Sequence, residues 1–163
     1  MVGRQSFEIR TARQFLEGLV EPDYEEFLKE PSSSRLAIHC ALGCWHLTEW
    51  VWADVLKGNT SLCSAIDASI RVNDFGSFCA YAVTTCSELD IMRQIADGSK
   101  HFGGQSSTVR DSSLAGGAFD KGFSAGFDIG QLEVEMPGGK RRFTDCLEAA
   151  VGFWRAFFSK HVA

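Results

Sequence analysis

The sequence has little proline and no long hydrophobic run. Only 3 of its 163 residues are proline, 45% are hydrophobic and 23% are charged, a composition that excludes a disordered or fibrous chain and is typical of a single domain over residues 1–163. The most apolar run, residues 36–52, is interrupted by His39, His46 and Glu49. No segment therefore reaches the roughly 20 apolar residues of a membrane-spanning helix, and we expect no membrane partner.

The sequence also lacks an excess of basic residues. Its 16 Lys and Arg face 21 Asp and Glu, which gives a net charge of -5. Sequence-independent binding to a nucleic-acid backbone needs clustered cations, so the net charge does not support RNA binding except through a small local site. The chain begins MVGRQSFEIR, without a basic and then apolar leader. We therefore expect a cytoplasmic location, with the 6 cysteines reduced and mostly buried.

Motifs for metals and phosphates are absent as well. There is no His-Glu-x-x-His or Cys-x-x-Cys pair and no Gly-Lys-Ser/Thr loop, and a metal site would need three or four converging ligands. We expect neither a metal nor a cofactor.

Apolar periodicity predicts a mostly helical chain up to about residue 100. Helices are expected over about residues 6–29, 33–56, 60–72 and 75–85, with a fifth that begins at Ser87 and is ended by Gly98. The helix over 33–56 is apolar around much of its circumference. It should therefore be the centre of the fold.

The character of the sequence changes after His101. Residues 103–117 are rich in Gly and Ser and predict a flexible loop. The alternation in QLEVEM and the turn after it predict a β-hairpin within residues 118–143, whereas residues 119–129 fit a helix or a strand. A final helix is expected over 144–160, capped by Thr144. The predicted fold is α+β, with a four- to five-helix bundle-like core and a small antiparallel sheet before the C-terminal helix.

His46 and Glu49 form the first candidate site. A spacing of three residues places the imidazole and the carboxylate side by side on one helix, where the carboxylate would orient the ring or raise its pKa. The alternative is a buried polar pair that holds the helix in register.

The stretch MRQIADGSKHF forms the second candidate site. Arg93, Asp97 and His101 follow one another at steps of four, so a continuous helix would place a cation, an acceptor and a proton shuttle in line. If the helix ends at Gly98, Lys100 and His101 instead follow its C-terminus, where the helix dipole favours cations. The alternative is a helix cap followed by a solvated basic pair.

Two resemblances bear on these candidates. Four motifs carry the first resemblance: CWHLTEWVW, IADGSKHF, AFDKGFSAGFDIGQLEVEMPGG and TDCLEAAVGFWRAFF. Through them the chain resembles a set of small uncharacterised bacterial proteins over about residues 10–160. This resemblance implies a bacterial origin. The arrangement of Arg93 and His101 is also similar to that of the HEPN superfamily of helical ribonucleases and defence proteins, in which four to six residues separate Arg from His; seven separate them here.

The HEPN resemblance implies cleavage of RNA without a metal, at paired sites in a homodimer. In that hypothesis His101 is the general acid and base, Arg93 and Lys100 stabilise the phosphorane charge, and Asp97, His46 and Glu49 support them. The alternative hypothesis is a non-catalytic interaction module that binds another protein, for example in phage defence or in a toxin–antitoxin pair.

Overall fold

The structure is a computed structural model, and it describes residues 7–66, 69–100, 111–115 and 131–162. Within these residues the elements follow in the order α1 (Ala12–Phe15), α2 (Glu21–Lys29), α3 (Ser34–Val51), α4 (Thr60–Ile66), α5 (Phe75–Thr85), α6 (Glu88–Lys100), β1 (Asp111–Ala115), β2 (Gln131–Met136), β3 (Gly139–Arg142) and α7 (Phe143–His161). The predicted α+β fold, mostly helical with a small sheet before the last helix, is confirmed.

The N-terminal helical stretch begins later than predicted. Phe7 and Glu8 have positive φ angles of 47° and 72°, and the first helix begins at Ala12, where the Thr11 side chain accepts a hydrogen bond from the Gln14 backbone N–H. A π-helical turn, Leu16–Val20, joins α1 to α2 just before Pro22. Because proline crowds the preceding turn and lacks an N–H, the wider π turn accommodates it without ending the helix.

Helix α3 is the centre of the fold, as predicted. Ser33 caps its start by accepting a hydrogen bond from the Leu36 backbone N–H at 3.4 Å, and helices α2, α5, α6 and α7 all pack against it. A second π-helical turn, Trp52–Leu56, extends it. The chain then leaves the helix at Gly58, whose φ of +85° is a left-handed conformation that glycine adopts without a steric penalty.

Two predicted boundaries in the helical part are wrong. Helix α4 ends at Ile66 rather than near residue 72. Helix α6 continues through Gly98 to Lys100, because Gly98 keeps a helical backbone in the last turn and the Ser99 hydroxyl donates to the Ala96 carbonyl at 2.7 Å. A glycine so near the end of a helix costs only about 1 kcal/mol relative to alanine, which is too little to stop the helix.

The sheet has one strand that the sequence did not predict. Strand β1 pairs antiparallel with β2, and β2 pairs antiparallel with β3, so residues 111–115 of the predicted 103–117 loop form a strand. Its sequence, DSSLA, does not alternate, and its backbone pairing with β2 determines its conformation. The predicted hairpin of β2 and β3 is confirmed, and Leu132 and Val134 are buried in the core. Residues 119–129 lie outside the described part of the chain.

Helix α7 closes the core. Cys146, Leu147, Ala150, Val151, Trp154 and Phe158 are all buried, as predicted. The predicted Thr144 cap is wrong, because the helix begins at Phe143 and no side chain caps it. The Trp154 indole N–H donates to the Cys44 carbonyl of α3 at 3.0 Å, a buried hydrogen bond that ties α7 to α3.

We predict that Trp154→Phe lowers the free energy of unfolding by about 1–3 kcal/mol, since it removes a buried hydrogen bond and leaves a small cavity. Urea denaturation measures the loss. Trp45→Phe is the matched control, because Trp45 is only half-buried. Equal losses in the two variants would contradict the role given to the indole N–H.

Candidate functional site

The predicted residues Arg93 and Asp97 lie together on α6. The Arg93 guanidinium donates to Asp97 Oδ2 at 3.3 Å and contacts Asp90 Oδ1 at 2.8 Å. The Gln94 amide donates to the other Asp90 oxygen at 2.7 Å. We call Asp90, Arg93, Gln94 and Asp97 the Arg93 cluster. Its two carboxylates outnumber its one cation, so its formal charge is negative.

The structure separates His46 and Glu49 from the end of α6. Helices α3 and α6 run in opposite directions. Ile95, in the second half of α6, lies beside Ser34 and Ala37 at the start of α3. Cys86, just before α6, lies near Cys44 in the middle of α3: burial raises the pKa of the Cys44 thiol most, and the charge of Cys86 raises it further.

The opposed directions place the last residue of α6, Lys100, towards the start of α3. His46 and Glu49 lie in the second half of α3, about 18 Å along the axis from Ser34 at 1.5 Å per residue. The expected meeting of this pair with Lys100 is therefore not found. His101 lies outside the described residues.

Cys79 of α5 is a neighbour that the sequence did not single out. Burial raises the pKa of its thiol, a hydrogen bond with Thr48 lowers it, and the charges of Glu49 and Arg93 raise and lower it respectively. Glu49 of α3 and Arg93 of α6 therefore both lie near this thiol, and His46 is half-buried. Because Cys79 stands in the apolar stretch FGSFCAYAVTT, no spacing in the sequence indicates it.

A cleft at the end of α3 is the other candidate site. It has a volume of about 550 Å³ and lies between the π-helical turn, α4 and residues 71–73. We call it the Lys57/Arg71 cleft. Its lining residues are Trp52, Leu56, Lys57, Gly58, Asn59, Thr60, Cys63, Ser64, Arg71, Val72 and Asn73. Leu56, Cys63 and Val72 are buried, and Trp52 is half-buried; the other lining residues are exposed.

The charge of this cleft is positive. Among the described residues, Lys57 and Arg71 line it and no Asp or Glu does; Asp67 lies outside the described part of the chain. Neither cation belongs to any of the ion pairs formed by the described residues. Their charges are therefore not neutralised by a nearby carboxylate in the part of the chain that the structure shows.

Two asparagines add hydrogen-bond donors to the cleft. The side-chain oxygen of Asn59 accepts from the Leu62 backbone N–H at 3.1 Å, and that of Asn73 accepts from the Ser77 hydroxyl at 3.1 Å. Each amide oxygen already accepts one hydrogen bond, and the N–H donors of both side chains remain available to a ligand. Donors and cations together favour a ligand that carries negative charge.

Neither a metal site nor a membrane segment is found in the described residues. No three His, Cys, Asp or Glu side chains of the described chain lie close enough to hold a metal ion. None of the helices in the described ranges is long and apolar enough to cross a bilayer.

One further pattern in the sequence matches a catalytic motif. Gly122-Phe123-Ser124-Ala125-Gly126 has the Gly-x-Ser-x-Gly spacing of a hydrolase nucleophile elbow, which requires a strand, a sharp turn and a helix around the serine. These residues lie outside the described chain, and the function proposed below does not depend on them.

We predict that Cys79 is the cysteine alkylated fastest by iodoacetamide in the folded protein, because the other five are buried. The thiolate is the reactive form, and burial raises the pKa of Cys79. Its rate should therefore rise about tenfold per pH unit from pH 7 to 8. Peptide mass spectrometry identifies the modified cysteine, with the urea-unfolded protein as control. Faster labelling of Cys63 or Cys86 would contradict the described burial.

Comparison of the chain with protein-family models, with curated proteins and with solved structures found no match. The resemblances drawn from the sequence motifs therefore remain untested, and a function for this chain has to be argued from its own residues.

Proposed function

We propose that this protein is a binding module that holds a small anionic ligand in the Lys57/Arg71 cleft. The observation that carries the proposal is the pair of exposed cations, Lys57 and Arg71, beside the buried apolar residues Leu56 and Val72, with no carboxylate among the described lining residues. The proposal follows the non-catalytic alternative expected from the sequence, with a small molecule in place of a protein partner.

The charge of the whole chain makes this cleft distinctive. Acidic residues outnumber basic ones by 21 to 16, yet the described residues of the cleft include two bases and no acid. A concave site with charge of one sign focuses its field into the opening and raises the local concentration of opposite ions. An anion that is repelled by most of the surface would therefore be attracted here.

The same lining favours binding over catalysis. Its described residues include no imidazole and no carboxylate, the groups that most often transfer protons at neutral pH. The Cys63 thiol is buried and donates to the Leu56 carbonyl at 3.5 Å, which makes it a poor nucleophile. The cleft has donors that hold an anion but no residue placed to act as a general base.

We predict that pyrophosphate binds the protein in isothermal titration calorimetry at low ionic strength. The double variant Lys57→Ala/Arg71→Ala should weaken binding at least about tenfold, since each lost charge-assisted hydrogen bond costs about 1.5–3 kcal/mol.

The matched control is Lys29→Ala/Arg142→Ala. It removes the same two residue types, and both residues are exposed and outside the cleft. The control should bind pyrophosphate as the unchanged protein does. Absence of binding, or equal weakening in the two double variants, would refute the cleft as the binding site.

We propose RNA cleavage by Arg93, Lys100 and His101 as a second function, on the HEPN resemblance. The contact of Arg93 with Asp97 on α6 supports it, since the resemblance calls for a polar residue beside the arginine. For phosphate binding, however, Arg93 would have to exchange Asp90 or Asp97 for the substrate.

We predict for this second function that the protein degrades mixed RNA in the presence of EDTA. His101→Ala should slow cleavage at least about 100-fold, which is the usual contribution of a general acid or base, and Lys29→Ala should have no effect. Equally negligible cleavage by the unchanged protein and by His101→Ala would eliminate this function.

A further inference from the structure

Trp52 gives the Lys57/Arg71 cleft an aromatic wall. It is half-buried, lines the cleft and stacks against Phe78 of the core, with ring centroids 6.4 Å apart and an interplanar angle of 27°. Contact with a buried ring fixes the orientation of the indole before any ligand arrives. A fixed aromatic surface in a cleft offers a stacking partner for a planar ring at little entropic cost.

The π-helical turn places this aromatic ring close to a cation. The Lys57 backbone N–H donates to the Trp52 carbonyl at 2.8 Å, a bond across five residues that is characteristic of a π helix and is common near functional sites. Trp52 and Lys57 are therefore one turn apart, and Arg71 joins the lining from the segment that precedes α5.

The number of cations limits the charge of the ligand. Lys57 and Arg71 supply two positive charges, which match the charge of about -1.5 to -2 on a phosphate monoester at pH 7. A triphosphate would carry more negative charge than the described lining compensates. The volume of about 550 Å³ lies within the range of about 300–1,000 Å³ typical of small-ligand sites.

We propose that the ligand of the Lys57/Arg71 cleft is a nucleoside monophosphate, with its base against Trp52 and its phosphate on Lys57 and Arg71. This inference rests on the proposed function and adds the planar ring to it. The amide donors of Asn59 and Asn73 are available to the phosphate oxygens or to acceptors on the sugar and base.

The test compares a ligand that has both the phosphate and the base with one that lacks the base and one that lacks the phosphate. AMP, ribose 5-phosphate and adenosine are titrated separately into the protein by calorimetry. We expect AMP to bind at least about fivefold more tightly than ribose 5-phosphate, since a stacked base contributes about 1–3 kcal/mol. AMP should also bind more tightly than adenosine, which lacks the phosphate that Lys57 and Arg71 would hold. Equal affinities for AMP and ribose 5-phosphate would overturn the inference.

Two variants locate the base. Trp52→Leu should reduce AMP affinity to that of ribose 5-phosphate while ribose 5-phosphate itself binds as before, which also shows that the cleft is intact. Trp52→Phe retains an aromatic face and should keep AMP within about threefold of the unchanged affinity. If Trp52→Leu does not fold, the comparison of AMP with ribose 5-phosphate in the unchanged protein decides the inference.

The outcomes separate this inference from the function on which it rests. In one outcome pyrophosphate binds, Lys57→Ala/Arg71→Ala abolishes that binding, and AMP and ribose 5-phosphate bind with equal affinity. The cleft then binds anions, and the nucleotide inference is wrong. If none of the phosphates binds, both proposals are wrong.

Discussion

The burial of α3 is the constraint on which the rest of the structure depends. Its Leu36, Cys40, Cys44, Leu47 and Val51 are 0–1% exposed, and α2, α5, α6 and α7 supply the cover. Because this helix is apolar around much of its circumference, no single neighbour could shield it from water, and the chain has to place helices on several sides. This enclosure buries the hydrogen bond from the Trp154 indole N–H to the Cys44 carbonyl. It also makes the thiols of α3 unreactive, since burial raises the pKa of Cys40 to about 12.

The same enclosure determines where functional groups can lie. Charges are costly inside such a core unless they are paired. No Asp, Glu, Lys or Arg of the described residues is buried, and the buried polar side chains are the uncharged Thr48 and Gln94. The Arg93 cluster occupies an outer face of α6, and the Lys57/Arg71 cleft lies where α3 ends in a π-helical turn. Gly58, with its φ of +85°, turns the chain there, so that residues on both sides of α4 line one cleft.

Patterns of apolar residues in the sequence predict the helices and strands that bury one face in the core. The stripes of α3 and α7 and the alternation in QLEVEM gave the right elements because one face of each is buried. Strand β1 is not predicted because DSSLA has no alternation of apolar and polar residues, and its conformation comes from its pairing with β2. Lys57 and Asn59 were recognised only as the end of a helix, since Arg71 and Asn73, which complete the cleft, are more than ten residues away in sequence. The expected meeting of His46 with Lys100 depended on the direction in which α6 crosses α3, and no spacing within either helix encodes that direction.

The two candidate sites differ in what an anion must displace. At the Arg93 cluster an incoming phosphate competes with Asp90 and Asp97, which already contact the guanidinium, and it approaches a formally negative surface. At the Lys57/Arg71 cleft the anion meets two cations that no described carboxylate neutralises, and it need only displace water. Salt at physiological strength screens exposed charges beyond about 8 Å. The net charge of -5 therefore acts only weakly on a ligand inside the cleft. Lys57 and Arg71, by contrast, would act on that ligand at contact distance. Local charge therefore outweighs the overall charge, and it favours the cleft as the place where this acidic protein binds an anion.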